Sequence, residues 1–162
     1  MPSLAEVFKE LNALSADRVI RQYAVAGAMA FVFYTEPTPT YDLDVFVFLP
    51  PQDGLILSME PLYTELRKRG YAFDAEHVMI HGTPVQFLPA YNRLAEEAVE
   101  EAVTHDYAGI PVRVVGPEHA IALAIQTGGS RRLVRARGLE EQGTIDMAKL
   151  QAILAAHAIQ RQ

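Results

Sequence analysis

Asp42 and Asp44 stand two residues apart in the run YDLDVFVFLP. Side chains of a strand alternate between its faces, so a strand here puts Asp42, Asp44, Phe46 and Phe48 on one side and Leu43, Val45, Val47 and Leu49 on the other. The two carboxylates then lie about 6 to 7 Å apart at the Cα level and point the same way. Like charges at that spacing disfavour each other unless a cation or a basic group comes between them. Hard ions such as Mg²⁺ take oxygen ligands and are often held by one or two carboxylates plus substrate phosphates. One reading of Asp42 and Asp44 is therefore a pair of metal ligands at the mouth of an apolar strand. The other places them in the turn leading into that strand, beside Pro39, Thr40 and Tyr41.

Two further features suit anionic ligands. Gly27 separates the apolar run YAVA from a second apolar run, and glycine at a strand-to-helix turn permits close backbone approach and leaves helix amides facing a phosphate. A tight packing turn needs glycine equally. The segment GSRRLVRARG carries Arg131, Arg132, Arg135 and Arg137, a local basic cluster in a chain of formal net charge -6. That net charge argues against a broad electrostatic grip on nucleic acid and leaves a local anion site open.

Other chemistries find little support. The chain has no cysteine, which removes thiol nucleophiles and thiolate metal sites. His77 and His81 are four apart, but a strand and its turn do not make them neighbours, and no HExxH pattern occurs; no zinc site is expected. Ser130 follows Gly128 and Gly129 without a GxSxG context, so a turn between helices accounts for it.

The elements that must position these residues are legible from periodicity. Leu4, Val7, Phe8, Leu11 and Leu14 recur at helical steps, and a second helical piece is expected over Ala16 to Arg21. YAVAG reads as a strand ending at Gly27, Ala28 to Tyr34 as a buried helix closed by Pro37 and Pro39, and YDLDVFVFLP as the strongest strand. Leu57 to Lys68 reads as a crossover helix stopped at Arg67-Lys68-Arg69-Gly70, His77 to His81 and Pro84 to Leu88 as short strands, and Arg93 to Val103 as a helix whose AEEAVEEA run is a solvated face. Ile110 to Val115 is a strand, a helix launched by Gly116-Pro117-Glu118 runs through Gln126, and a last helix runs from Asp146 to His157. Phe31, Phe33, Phe46, Phe48 and Phe87 read as core, with Tyr34 and Tyr91 nearer a cleft. The expected fold class is α/β (α+β), a mixed sheet flanked by helices. With 162 residues, half of them apolar, one domain is expected, its core over about residues 20–116 and a helical part over 117–160. No apolar run reaches the ~20 residues that span a bilayer, and the opening MPSLAEVFKELNAL lacks a secretory pattern, so a cytoplasmic location without a membrane partner is expected.

The stretch GAMAFVFYTEPTPTYDLDVFV, from Gly27 to Val47, resembles the signature of the nucleotidyltransferase superfamily, the polymerase-β-like fold. It is most similar to the small bacterial group related to AbiEii-type toxins and minimal nucleotidyltransferases. The resemblance implies that Gly27 and Ala28 form the nucleotide-phosphate turn, and that Asp42 and Asp44 hold Mg²⁺ or Mn²⁺ against a nucleoside triphosphate. It also implies C-terminal helices from Pro117 onward, where Arg131 and Arg132 grip phosphates. The implied reaction moves a nucleotidyl group to a hydroxyl of RNA, a protein or a small molecule. The sequence also departs from the pattern. Gln86 stands in PVQFLP where the resemblance implies a third carboxylate, Thr38 replaces a basic residue, and Gln126 and Arg132 replace a lysine and an aspartate. Asp74, Glu76 and Asp106 are the carboxylates that could stand in for the third. The alternatives are a catalytically inactive binding or regulatory protein of this fold, toxin-antitoxin partners included, and an unrelated α/β domain whose acidic pair is structural.

Overall fold

In the computed structural model, which describes residues 3–35, 42–54, 57–142 and 144–161, the run LDVFVF forms strand β2 (Leu43–Phe48) at the middle of a seven-stranded mixed sheet. The other strands are β1 (Gln22–Ala26), β3 (Ala72–Asp74), β4 (His77–Ile80), β5 (Thr83–Pro89), β6 (Val103–Tyr107) and β7 (Ile110–Val114). Their order across the sheet is β3-β4-β5-β2-β1-β7-β6. β2 runs antiparallel to β1 and parallel to β5, β1 runs parallel to β7, and the outer pairs are antiparallel.

Alternation sorts the two faces. Val25, Val45 and Val85 are fully buried on one side, while Ala26, Asp44 and Gln86 are paired across three adjacent strands on the other. Helix α1 (Leu4–Ala16) buries Val7, Phe8, Leu11 and Leu14, the stripe its periodicity predicts, and Ser3 caps it by accepting from Glu6 N. It is fastened through Tyr23, whose hydroxyl donates to Asn12 Oδ1 at 2.7 Å and accepts from Arg113 N at 3.3 Å.

The second face carries α2 (Gly27–Val32), α4 (Arg93–Glu100) and the C-terminal helices α5 (Pro117–Thr127), α6 (Ser130–Glu141) and α7 (Met147–Ala156). α5 is the most buried, with every residue from Glu118 to Ala124 out of solvent. Asp146 caps α7 by accepting from Lys149 N, as its position predicts. Helix α3 (Glu60–Lys68) lies between β2 and β3 and ends in the basic residues expected of it. Among the described residues no helix is long and apolar enough to cross a membrane.

The structure corrects some boundaries. No helix covers Ala16 to Arg21: α1 ends at Ala16, Val19 N and Ile20 N both bond back to Leu14 O, and Arg18 turns at φ +60 so that Ile20 can point inward. Asp42 lies just before β2 rather than within it. α3 starts at Glu60, with Pro61 in its first turn, three residues later than predicted. Val103 belongs to β6, not to the helix before it. β3 and β6 were not expected, because both are sheet edges with little burial and hence no apolar alternation to read. Pro37, Thr38, Pro39 and Tyr41 lie outside the described residues.

Candidate functional site

Asp44 sits at the second position of β2, directly across from Ala26 on β1 and from Gln86 on β5. Its side chain therefore projects over the sheet face that α2, α5 and α6 enclose. Asp42, at the foot of the same strand, is half-exposed, and its Oδ2 lies 3.6 Å from His77 Nε2 on β4. That distance is an ion-pair separation, too long for a hydrogen bond. The Gly27 turn meets Asp44 from the other side. Gly27 has φ +60, and a Cβ placed there would fall onto Asp44 Oδ2 and within 3.1 Å of Cγ. Only glycine lets the β1–α2 turn approach the carboxylate this closely.

α6 supplies the opposite charge. Gly128 and Gly129 both adopt positive φ between α5 and α6, and α6 packs back against α5 and α2. Arg131, Arg132 and Arg135 then face the aspartates across a cavity of about 620 Å³. Arg132 Nη1 also donates to Gly128 O at 3.4 Å, bracing the turn. Gly27, Ala28, Asp42, Asp44 and Gln86 form the polar floor, while Phe31, Phe46, Leu88, Tyr91 and Leu123 make an apolar wall. The volume is that of a small-molecule site, with a few polar groups converging on one side. Burial pushes the Asp44 carboxyl above the usual carboxylate range, and Asp42 adds to that push; His77, Arg132 and Arg135 pull the other way.

No family model matches the chain, and no curated protein matches it in sequence. Solved structures of similar fold match the chain. The solution structure of the antibiotic-resistance factor ANT(2'')-Ia aligns over 98% of this chain and 93% of its own, with TM-score 0.56 and 16% identity. The crystal structure of ANT(2'')-Ia in complex with adenylyl-2''-tobramycin aligns over 93% of this chain and 94% of its own, with TM-score 0.56 and 15% identity. An antigenic nucleotidyltransferase-like protein from Paracoccidioides brasiliensis covers 96% and 88%, with TM-score 0.60 and 16% identity. The chain has a nucleotidyltransferase-like fold.

Within this nucleotidyltransferase-like fold, the six residues singled out as Gly27, Ala28, Asp42, Asp44, Arg131 and Arg132 all line one cavity. Arg135 joins them, and of the two tyrosines only Tyr91 does, its ring 5.8 Å from that of Phe46. Tyr34 turns away and donates to Val115 O at 2.8 Å. Gln86 stands beside Asp44 in register, and among the described residues Asp42 and Asp44 are the carboxylates that line the cavity. Asp106 accepts from Gly109 N in the β6–β7 turn, Glu76 lies 3.8 Å from His77 Nδ1, and Asp74 ends the edge strand β3. Gln126 accepts from Asn92 at 2.9 Å and is not at the cavity.

Two features escaped the sequence. His77 meets Asp42 only because β4 folds back beside β5, a non-local pairing that spacing does not show. The AEEAVEEA run is not simply a solvated face: Glu97 and Glu101 come together with His119, one ligand atom of each within 4.8 Å of the others, in an arrangement that could hold a metal ion. The Glu97–Glu101 step of four was its one visible signal.

Proposed function

We propose that this chain is a metal-dependent nucleotidyltransferase that moves a nucleotidyl group from a nucleoside triphosphate to a hydroxyl of RNA, a protein or a small molecule. The observation that carries this reading is the meeting of Asp42 and Asp44 with Arg131, Arg132 and Arg135 across one cavity, on a fold shared with nucleotidyltransferase-like proteins. The donor set at the aspartates fits a hard divalent ion: it offers carboxylate oxygens in a like-charged pair, and the more buried one is already reluctant to ionise without a cation nearby. Mg²⁺ or Mn²⁺ held by Asp42 and Asp44 would supply charge neutralisation at the phosphoryl oxygens during transfer.

The chain's own residues divide the remaining tasks. Arg131, Arg132 and Arg135 bind the outer phosphates through charge-assisted hydrogen bonds and draw off the charge that develops on departing pyrophosphate. Gly27 and Ala28 let the phosphate chain run close to the backbone. Phe46, Leu88 and Tyr91 offer an apolar wall for the base. A hydroxyl held in line attacks the α-phosphorus, the bond to pyrophosphate breaks as the new P–O bond forms, and the hydroxyl proton leaves to solvent. The adenylylated tobramycin in the ANT(2'')-Ia complex supports a small-molecule hydroxyl as one acceptor class.

Gln86 favours a second reading. A neutral amide can orient a hydroxyl by hydrogen bonding and cannot take its proton, so Gln86 cannot serve as the general base that a carboxylate there would supply. On that reading the chain binds metal and nucleotide without transfer and acts as a regulatory or toxin-antitoxin component. Pyrophosphate release from each of the four nucleoside triphosphates, measured with tobramycin, total RNA and no acceptor, separates the two. Release by the wild-type chain that Asp42→Asn/Asp44→Asn abolishes supports transfer. Silence in the wild type together with release by Gln86→Asp supports binding alone.

A further inference from the structure

Three helices converge on a second group of ligand-bearing side chains away from the aspartate pair. α4 presents Glu97 and, at its C-cap, Glu101; α5 presents His119 in its first turn, and α7 is closed by His157. Glu97 lies between the two imidazoles: its Oε1 is 3.4 Å from His119 Nε2, and its Oε2 is in contact with His157 Nε2. Glu101 completes the group and is also approached by Lys149 Nζ at 3.8 Å.

His119 is what makes this more than a charge cluster. The side chain is 1% exposed, its Nδ1 has no hydrogen-bond partner among the described residues, and its Nε2 has only the Glu97 carboxylate beside it at 3.4 Å. Buried polar atoms are satisfied in the great majority of cases, and leaving one unpaired costs about 1–3 kcal/mol. The 3.4 Å separation from Glu97 is close to the roughly 3.3 Å edge between two ligands on one tetrahedral ion with ~2.05 Å bonds. Glu97 and Glu101 are only partly covered, so the group is open to solvent on one side.

We propose that Glu97, Glu101 and His119 form a binding site for one divalent transition-metal ion of the zinc class, with His157, bonded to Glu97, as the residue that positions this carboxylate and ties α7 to α4 and α5. A neutral imidazole with two carboxylates suits such an ion, whereas the all-oxygen pair of Asp42 and Asp44 suits Mg²⁺. The two sites are separate. Asn92 bonded to Gln126 pins the start of α4 to the end of α5, where Tyr91 and Thr127 line the nucleotide cavity. His119 adjoins Ala120, which lines that cavity, but its ring turns to Glu97 on α4, and the two groups share no residue. The inference therefore does not rest on nucleotidyl transfer.

The full chain is stripped with chelator and titrated with Zn²⁺ by calorimetry, then with Co²⁺ while visible absorption is followed. His119→Gln, His157→Gln and Asp42→Asn/Asp44→Asn are compared with the wild type. The site gives one equivalent of Zn²⁺, a four-coordinate Co²⁺ spectrum and a Zn²⁺-dependent rise in the unfolding midpoint. His157→Gln weakens Zn²⁺ by about 100-fold, and the aspartate double substitution leaves it unchanged. His157 is at the edge of the group, so its variant carries the test if the buried His119→Gln fails to fold. Absence of stoichiometric binding, equal affinity in His157→Gln, or loss of binding in the aspartate variant overturns the proposal.

Discussion

Gly27 sets the closest tolerance in the site. Its φ of +60 is a conformation in which other residues lose about 1–2 kcal/mol, and an added methyl would press on the Asp44 carboxylate. Gly27→Ala is expected to lower stability by roughly that amount and to weaken Mg²⁺-nucleotide binding at least tenfold, read by chemical denaturation and calorimetry. An unaltered affinity would mean that the position of Asp44 does not matter to the ligand. Asp44 gives a pH-dependent expectation. Its carboxyl titrates above the unfolded value, so the fold is favoured below the unfolded pKa of about 3.9 and loses that contribution as pH rises through the higher folded value. Asp44→Asn is therefore expected to raise the melting temperature of the metal-free chain at pH 7 and to do little at pH 3, checked by thermal scans in chelator. The aspartates and the glycine were visible in the sequence because each marks a local pattern, alternation in one case and a break between apolar runs in the other. His77 beside Asp42 was not, because strand β4 and the foot of β2 meet only through the sheet.

At the scale of elements, the site depends on two junctions. One is the double-glycine turn that folds α6 back, and the other is the start of α4, where Asn92 caps the helix by accepting from Ala95 N and donates to Gln126 on α5. Asn92→Ala is expected to cost about 1 kcal/mol, the usual worth of an N-cap, measured as a shifted denaturation midpoint with an unchanged slope. No loss would show that α5 holds α4 without the cap. The central strands and the amphipathic α1 were readable because burial imposes a period on their side chains. α6 was seen as a basic segment and not as a helix, since its exposed face is rich in arginine and only Ala136 and Leu139 are buried. The edge strands β3 and β6 were hard to see because they are short and half-bury only Phe73, His105 and Tyr107, too few apolar positions to set a period.

At the scale of the whole molecule, a chain of formal net charge -6 concentrates cavity-facing positive charge on one helix. Any single-stranded nucleic acid would be held there by about three phosphate contacts, so the logarithm of its affinity is expected to fall with the logarithm of salt at a slope near -2, at roughly 0.7 per contact. A much steeper slope, in fluorescence anisotropy across a salt series, would require a second basic surface. The order and mixed direction of the strands, together with the likeness to ANT(2'')-Ia, make the nucleotidyltransferase-like fold the firmest conclusion at this scale. What the cavity binds is tested most directly by titrating the four nucleoside triphosphates into the full chain by calorimetry, with Mg²⁺ and then with excess chelator, and repeating with Asp42→Asn/Asp44→Asn. Metal-dependent binding that the double substitution abolishes is the result expected of a nucleotide site at the aspartate pair. Absence of binding at millimolar nucleotide, or binding indifferent to both metal and substitution, would contradict it.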